Sequence, residues 1–314
     1  MSVIDNKTKV YLVGAGPGNP CLLSKKAERC IQQADVILYD QLVHPFILQL
    51  SRPDAEWIHV GKTPYTKYIR QERINELLVE KSQMYRHVVR LKGGDPAIFG
   101  RVAEEVETLR AHGIDFEIVP GITAASAAIS QLGRGLTERQ ISTNITFTTG
   151  HFKDGVENDI DITTLENGGT LAIYMGVKRL PFLMEEIIKK VGIDYPVAVI
   201  FNATRPNQQI IGGTVTTIAE KIAQLSERPG PGVTIVGEVV RDVEAIKPVM
   251  NPEPQMLLLT GNRTRCIDVA YEIFEAGGAA LIDDRATSDL HPSQHEILTS
   301  WLEQYTFTEQ RIIE

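Results

Sequence analysis

The sequence predicts an α/β protein with two consecutive α/β domains and a short α/β tail. Short apolar strands alternate with amphipathic helices, which is the pattern of a layered α/β fold. The alternation pauses after Gly121 and then begins again. The 314 residues also allow two domains, because one domain takes about 150 residues. We therefore expect domains at 1–119 and 120–247, and a linker with the tail at 248–314.

The first domain is predicted to build a mostly parallel sheet, because its strands are separated by helices or long loops. Strands are expected at Val10–Val13, 35–40, 57–62, 86–96 with its following loop, and 116–121. Helices are expected at 24–33, 70–81 and 101–111. Ser24 is predicted to cap the first of these helices, and Gly113 to end the third.

The second domain and the tail repeat the α/β pattern. Strands are expected within 144–150, 169–176, 196–204 and 232–240, and helices near 180–190 and 218–225. Prolines 248, 252 and 254 mark a stiff linker. In the tail, Ser293 and Glu296 predict a capping box for the last helix. We expect few contacts to cross the linker and the tail to be dispensable for activity, with its apolar faces either docked on the preceding domains or loosely ordered.

Composition and charge exclude several classes of protein. No apolar run approaches the roughly 18 residues of a membrane span, and the N-terminus lacks the apolar core of a secretory signal. The net charge of −8 argues against a nucleic-acid-binding protein. Cysteines 21, 30 and 266 have no C-x-x-C spacing, so we expect neither disulfides nor a metal site. A reducing cytoplasm is the expected location.

The segment VYLVGAGPGNP, from Val10 to Pro20, resembles a nucleotide-binding loop at the end of a strand. It is not a dinucleotide fingerprint, because Asn19 occupies the position of the third glycine. Pro17 also removes a backbone N–H that a pyrophosphate would need. Taken alone, the segment is most simply a tight turn between a strand and a helix.

A second glycine loop, RLKGGDPAIFGR, follows another strand of the first domain. Gly93 and Gly94 allow close approach of a ligand, and Asp95 offers a carboxylate. Asp40 and Lys62 also follow predicted strands. Because ligands of open α/β sheets bind beyond the carboxyl ends of strands, these features predict a cleft at one sheet edge.

These motifs together resemble the tetrapyrrole methylase family. VYLVGAGPGNPCLLS, ADVILYDQLV, VGK, VRLKGGDPAIFGR, VPGITAASAA, YMGV and VGEVV occur in the family's order, over about residues 8–245. The resemblance implies two α/β domains with the active-site cleft between them, a homodimer, and S-adenosylmethionine as cofactor with S-adenosylhomocysteine as product. The residues that it implies for cofactor binding are Pro17, Gly93, Gly94, Asp95, Ile98, Thr123, Ala124, Met175 and Ala203.

The resemblance also implies catalytic and substrate-binding residues. Asp40 in YDQLV matches the family's proposed base, and Lys62 in VGK matches its proposed proton donor. Outside these motifs, Asp40 would be read as a turn residue and Lys62 as a surface lysine. Arg101 is the candidate for pairing with the substrate's carboxylates, since guanidinium binds carboxylate bidentately.

The implied reaction is C-methylation of uroporphyrinogen III at C2 and C7, giving precorrin-2 through precorrin-1, for sirohaem or cobalamin. The alternatives are a methylase that acts later in corrin synthesis and a non-catalytic tetrapyrrole-binding protein. An NAD-dependent dehydrogenase is disfavoured by Pro17 and Asn19. The tail segment from Met256 to Ile282 is similar to the start of the uroporphyrinogen-III synthase family, and the resemblance implies either a truncated fusion or a remnant of that enzyme.

Overall fold

The structure is a computed structural model that describes residues 8–61, 69–151, 160–226, 230–245 and 255–314. Lys62 and the proline linker lie outside the described residues. The alternation of helices and strands and the parallel sheets confirm the α/β class. Contacts divide the chain into unit 1, Met1–Thr123 with Glu253–Glu314, and unit 2, Ala124–Pro252.

Unit 1 contains a five-stranded sheet in which every neighbouring pair is parallel. Its strand order is β3-β2-β4-β1-β5. The strands are β1 (Lys9–Gly14), β2 (Val36–Tyr39), β3 (Glu56–His59), β4 (His87–Lys92) and β5 (Asp115–Val119), which confirms the predicted strands to within a few residues.

Helices cover both faces of this sheet, and the side chains of each strand divide between the two cores. The helices are α1 (Lys25–Gln33), α2 (Pro45–Leu48), α3 (Gln71–Met84) and α4 (Val102–Ala111). Val10 and Leu12 of β1 lie in the core with α3 and α4, whereas Val13 lies in the core with α1 and α2. As predicted, Ser24 caps α1, its Oγ accepting a hydrogen bond of 3.1 Å from Ala27 N.

The topology creates a crevice between β1 and β4. These strands are neighbours, but β1 leads to α1 on one face of the sheet and β4 leads to α4 on the other. A point where the connections diverge is where open α/β sheets bind ligands. Both glycine loops of the sequence follow these two strands.

Unit 2 contains a mixed five-stranded sheet in the order β6-β7-β10-β8-β9. Only the pair β6 and β7 is parallel. Strand β9 was not predicted, because its sequence QIIGGT has no alternation and two glycines. The elements are α5 (Ala124–Ser130), β6 (Ile145–Thr149), α6 (Thr163–Glu166), β7 (Thr170–Tyr174), α7 (Leu180–Val191), β8 (Pro196–Phe201), β9 (Gln209–Thr214), α8 (Ile218–Ala223) and β10 (Gly232–Val236).

The tail forms a three-stranded parallel sheet in the order β12-β11-β13, with two helices. The elements are β11 (Met256–Gly261), α9 (Arg263–Glu275), β12 (Ala279–Asp283), α10 (Pro292–Gln304) and β13 (Glu309–Ile313). Strand β13 was not predicted, because EQRII carries charged residues and stays largely exposed. No helix in the described ranges is long and apolar enough to span a bilayer.

The tail packs into unit 1, so the prediction that few contacts cross the linker is wrong. Buried residues of β11, α9 and β12 belong to the same apolar core as α1 and α2. The ring of Phe274 lies 5.1 Å from that of Phe46, and the ring of Tyr271 lies 5.8 Å from it. The tail therefore buries its apolar faces on the first domain.

The predicted capping box at Ser293 and Glu296 is also wrong. Helix α10 begins at Pro292, and His291 is its N-cap, with Nδ1 accepting a hydrogen bond of 3.2 Å from Ser293 N. Proline suits the first helical position because its N–H would have no partner there. Ser293 Oγ accepts instead from Trp57 N, at 2.8 Å.

Candidate active site

The loops that follow β1 and β4 are joined through glycine backbone. Gly16 N donates to Gly94 O at 3.1 Å, and Gly94 N donates to Gly16 O at 2.7 Å. Both glycines have positive φ angles, +68° and +72°, in the region that favours glycine. The two loops therefore present one continuous backbone surface at the crevice between β1 and β4.

A third loop, after β5, closes against the same surface. A Cβ atom on Gly14 would lie 2.6 Å from Gly121 N, and one on Gly121 would lie 2.3 Å from Gly94 O. No side chain fits in such spaces. This role of Gly121 was not predicted; the available signal was its place directly after a strand and Pro120 in PGITA.

The Asp95 carboxylate links the β4 loop to the β5 loop. Its Oδ1 accepts a hydrogen bond from Ala97 N at 2.7 Å, and its Oδ2 accepts from Gly121 N at 3.4 Å. Ile98 follows in the same turn, with its N donating to Asp95 O at 3.2 Å. The structure thus brings Gly93, Gly94, Asp95 and Ile98 together with the glycine junction, as the motif predicts.

Asp40 lies beside the same loop, because β2 and β4 are neighbours in the sheet. Its Oδ2 accepts a hydrogen bond from Gly93 N at 3.3 Å, and its Oδ1 accepts from Leu42 N at 2.9 Å. A Cβ on Gly93 would lie 2.5 Å from the Cβ of Leu42, so this contact also requires glycine. The carboxylate is half-buried and held in one orientation by the two N–H groups.

A buried charge cluster behind Asp40 was missed by the sequence analysis. Glu105 Oε1 accepts hydrogen bonds from Lys92 Nζ at 2.8 Å, Arg90 Nε at 3.1 Å and Gln71 Nε2 at 3.3 Å. Burial lowers the pKa of Lys92 and the Arg90 charge lowers it further, while Glu105 and Asp40 oppose the shift. The available signal was two cations inside an apolar parallel strand.

His59, at the end of β3, is a second titratable group near Asp40. Its ring lies 5.1 Å from that of Tyr39, edge to face. Burial lowers the pKa of His59, and Arg90 adds to this effect, while the Asp40 charge opposes it. A Cβ on Gly61 would lie 2.5 Å from Gln41 N, so the chain that leads to Lys62 runs against the residue after Asp40.

Arg101 is an exposed residue at the start of α4. It has a positive φ of +55° and serves as the helix N-cap. Its guanidinium makes hydrogen bonds of 2.7 and 2.6 Å with the Glu104 carboxylate. An exposed pair of this kind is worth less than about 1 kcal/mol. The substrate-binding role of Arg101 stays a prediction.

Pro17 and Thr123 lie on the loops that meet at the glycine junction. Pro17 is half-buried between Gly16 and Gly18, and Thr123 is half-buried two residues after Gly121. Exposed apolar side chains flank the same junction: Leu42, Phe99 and Ile122 are 48%, 40% and 37% exposed. Glycine backbone bordered by apolar side chains suits a ligand with a flat ring.

In unit 2, Met175 and Ala203 follow β7 and β8, which run in the same direction on either side of β10. Met175 has a φ of +54° and is 54% exposed, whereas Ala203 is buried. Such a backbone conformation is strained for methionine and is concentrated at functional sites. Tyr174 Oη accepts from Ala125 N at 3.1 Å, which joins this sheet end to Ala124 at the start of α5.

Within the described ranges, no three His, Cys, Asp or Glu side chains are grouped to hold a metal ion. The expected absence of a metal stays a prediction.

Comparison with protein families gives one match, to the Tetrapyrrole (Corrin/Porphyrin) Methylases, over residues 9–219. Two similar curated proteins are named siroheme synthase. The one from Psychrobacter arcticus is 47% identical over 233 residues, which are 74% of this chain and 42% of that protein. The one from Pseudomonas aeruginosa is 46% identical over 234 residues, 74% of this chain and 50% of that protein. The chain spans about half the length of the curated relatives it matches.

Solved structures agree with this match. The uroporphyrin-III C-methyl transferase from Thermus thermophilus, complexed with S-adenyl homocysteine, is 36% identical with a TM-score of 0.63, covering 74% of this chain and 99% of that one. A cobalt precorrin-4 methyltransferase is 29% identical with a TM-score of 0.65, covering 76% and 96%. The family match over residues 9–219 contains the glycine junction and Asp40.

Proposed function

The chain belongs to the tetrapyrrole methylase family, and we propose that it transfers methyl groups from S-adenosylmethionine to carbon atoms of uroporphyrinogen III. Two transfers, at C2 and C7, would give precorrin-2 through precorrin-1. The 36% identity to a uroporphyrin-III C-methyl transferase and the 46–47% identity to siroheme synthases support this choice of substrate.

One observation carries the proposal. The Asp40 carboxylate is held against Gly93 N, in the loop whose Gly94 is joined to Gly16 at the crevice between β1 and β4. A proton acceptor and a backbone surface for a flat ligand therefore occupy the same edge of one sheet. A methylase that acts on carbon needs both groups close together.

The glycine junction fits S-adenosylmethionine better than it fits a dinucleotide. Pro17 offers no N–H to a phosphate, while Leu42, Phe99 and Ile122 offer apolar surface. When bound, the cofactor supplies an electrophilic methyl group on a sulfonium. Pro17, Gly93, Gly94, Asp95, Ile98 and Thr123 of unit 1, and Ala124, Met175 and Ala203 of unit 2, are the proposed contacts.

Asp40 is proposed to accept the proton that a pyrrole ring must lose after its carbon has been methylated. Two N–H donors hold the carboxylate in place, and a positioned base speeds such a step. Lys62 is proposed to return a proton to the substrate, and Arg101 to exchange Glu104 for a substrate carboxylate.

The direct test is incubation of the protein with labelled S-adenosylmethionine and uroporphyrinogen III. We expect two labelled methyl groups per tetrapyrrole and the absorbance of precorrin-2. A matched reaction without tetrapyrrole controls for cofactor breakdown. Transfer to no tetrapyrrole, with S-adenosylhomocysteine bound, would favour a non-catalytic tetrapyrrole-binding protein.

A methylase that acts on a later corrin precursor is the second candidate, because the cobalt precorrin-4 methyltransferase structure is similar in fold, with a TM-score of 0.65 and 29% identity. Parallel assays with uroporphyrinogen III and a later corrin precursor separate the two. We also propose a homodimer in a reducing cytoplasm, with no nucleic-acid or membrane partner, which light scattering and cell fractionation can check.

A further inference from the structure

We propose that the tail is a positioning element for the active site, in which helix α9 holds both the loop after β1 and the segment after Asp40. This inference rests on the proposed function, which assigns those two segments to the active site. The contacts that carry it lie within unit 1, and they involve backbone and side chains far apart in the sequence.

Helix α9 contacts the loop after β1 through its last two turns. Asn19 Nδ2 donates to Phe274 O at 3.5 Å, and Cys21 Sγ lies 3.9 Å from Tyr271 O. Asn19 also caps the short 3-10 helix at Pro20–Leu22, with Oδ1 accepting from Cys21 N at 2.9 Å. The segment directly after Pro17 and Gly18 is therefore bonded to the tail.

The side chain of Phe274, whose carbonyl accepts from Asn19, packs against the segment after Asp40. Its ring lies 5.2 Å from that of His44, at 87°, and 5.1 Å from that of Phe46. His44 caps α2, with Nδ1 accepting from Phe46 N at 3.2 Å. All three side chains are at most 7% exposed, so this contact lies in the buried core.

Buried polar contacts fix the register of the tail on α2. The Gln49 side chain exchanges two hydrogen bonds with the backbone of Ile282, donating at 2.6 Å and accepting at 3.0 Å. Arg263 donates to Gln49 O at 2.6 Å and to Ser51 O at 3.0 Å, and it pairs with Asp284. A buried polar group without a hydrogen-bond partner destabilises the fold. These pairs therefore favour one docked position of the tail over other, nonspecific apolar contacts.

Helix α10 holds the start of β3 in the same way. Gln294 Nε2 donates to Arg52 O at 2.8 Å and Ala55 O at 2.7 Å. Trp57 N donates to Ser293 Oγ, and the rings of Trp57 and Trp301 lie 5.6 Å apart. The tail thus contacts the segments that follow β1 and β2 and the segment that precedes β3. These three strands lead to candidate site residues.

The test compares two single variants, Phe274→Ala and Leu78→Ala, with the wild type, each as the full chain. Leu78 is a matched control because it is fully buried in α3, on the other face of the sheet. Three quantities are measured: melting temperature, affinity for S-adenosylhomocysteine by calorimetry, and amide hydrogen exchange at Gly16–Asn19 and Leu42–His44. We expect both variants to melt lower, because each leaves a cavity.

Only Phe274→Ala is expected to weaken S-adenosylhomocysteine binding, by about tenfold or more, and to speed exchange in both segments. Phe274→Leu leaves a smaller cavity and should give a smaller loss of affinity and a smaller rise in exchange, both still larger than for Leu78→Ala, so it replaces the alanine variant if that chain fails to fold. Equal changes in the two variants, or no change in exchange for Phe274→Ala, would overturn the inference.

The exchange measurement needs no ligand, so it separates the two proposals. If the wild-type chain does not bind S-adenosylhomocysteine, the proposed function fails, and the exchange pattern alone decides whether the tail positions the two segments. If the wild-type chain binds and the variants differ only in melting temperature, the proposed function stands and the tail is merely structural.

Discussion

The two faces of the unit 1 sheet differ in how far along the sequence their covering segments lie from the strands of the sheet. Helices α3 and α4 cover one face, and both connect strands of that same sheet. Helices α1 and α2 cover only part of the other face. The rest is covered by α9, β11 and β12, which follow unit 2 in the sequence. The difference teaches that the first domain is discontinuous, so one of its two cores depends on the tail.

The largest expected effect is that of removing the tail. A chain that ends at Lys247 would expose the α1 and α2 surface, including Phe46, Ile47 and Leu48, which are now fully buried. Each such side chain is worth about 1.5–3 kcal/mol, so we expect loss of cooperative unfolding or aggregation. The measurement is thermal unfolding by circular dichroism.

A shorter deletion is the control for this truncation. A chain that ends at Thr308 lacks only β13, whose residues are mostly exposed, and should unfold cooperatively. A cooperative chain ending at Lys247, with wild-type melting temperature, would show that the tail is dispensable and that the first domain is continuous.

Asp40→Asn tests the carboxyl edge of the unit 1 sheet, where the candidate site lies. We expect methyl transfer to slow by roughly 10²–10⁴-fold, as for a lost general base, with the affinity for S-adenosylhomocysteine within a few-fold of wild type. Asp54→Asn is the control, because Asp54 is exposed on the same domain. Rates near wild type for Asp40→Asn would leave the residue as a turn aspartate.

Glu105→Gln tests the face of the sheet that α3 and α4 cover, whose apolar core contains no described residue of the tail. The change leaves Arg90 and Lys92 buried without the carboxylate that they contact, which should lower the free energy of unfolding by about 3–5 kcal/mol. Glu104→Gln removes an exposed neighbour and should cost less than about 1 kcal/mol. Denaturant unfolding gives both values, and equal values would mean that the buried cluster adds nothing.

The smallest expected effect is a pH dependence from His59. Because burial lowers its pKa in the folded chain, the unfolded chain binds more protons as the pH falls below about 6.5. The stability contributed by neutral His59 is therefore present above that pH and is lost on acidification. Melting temperatures from pH 7.5 to pH 5.5, chosen to span roughly that value, should fall less for His59→Gln than for wild type. Parallel curves would remove His59 as the cause.

The parts of the site that depend on local sequence could be predicted. The strand ends, the glycine loops and the position of Asp40 beside Gly93 follow from patterns within a few residues and from the rule that parallel strands end at one edge. Ser24 was predicted as a cap for the same reason. At His291 a local rule failed, because the Ser293–Glu296 pattern competes with a proline that is better placed to start the helix.

The parts that could not be predicted depend on distant contacts. Glu105 meets Arg90 and Lys92 across the packing of a helix on a strand, and nothing in the local sequence of Glu105 differs from an exposed helical glutamate. The docking of Phe274 on Phe46 joins residues on opposite sides of unit 2 in the sequence. Apolar periodicity showed that α9 has a face to bury, but it could not show where.

The discontinuous core also has a consequence for protein synthesis. A ribosome completes the first domain's sheet and all of unit 2 before it makes α9, and chain elongation at about 5–20 residues per second makes this delay on the order of ten seconds or more. During that time the α1 and α2 surface has no cover from its native partner. The nascent chain therefore carries an exposed apolar face until α9 emerges, and a chaperone that binds such faces would act on this protein before then.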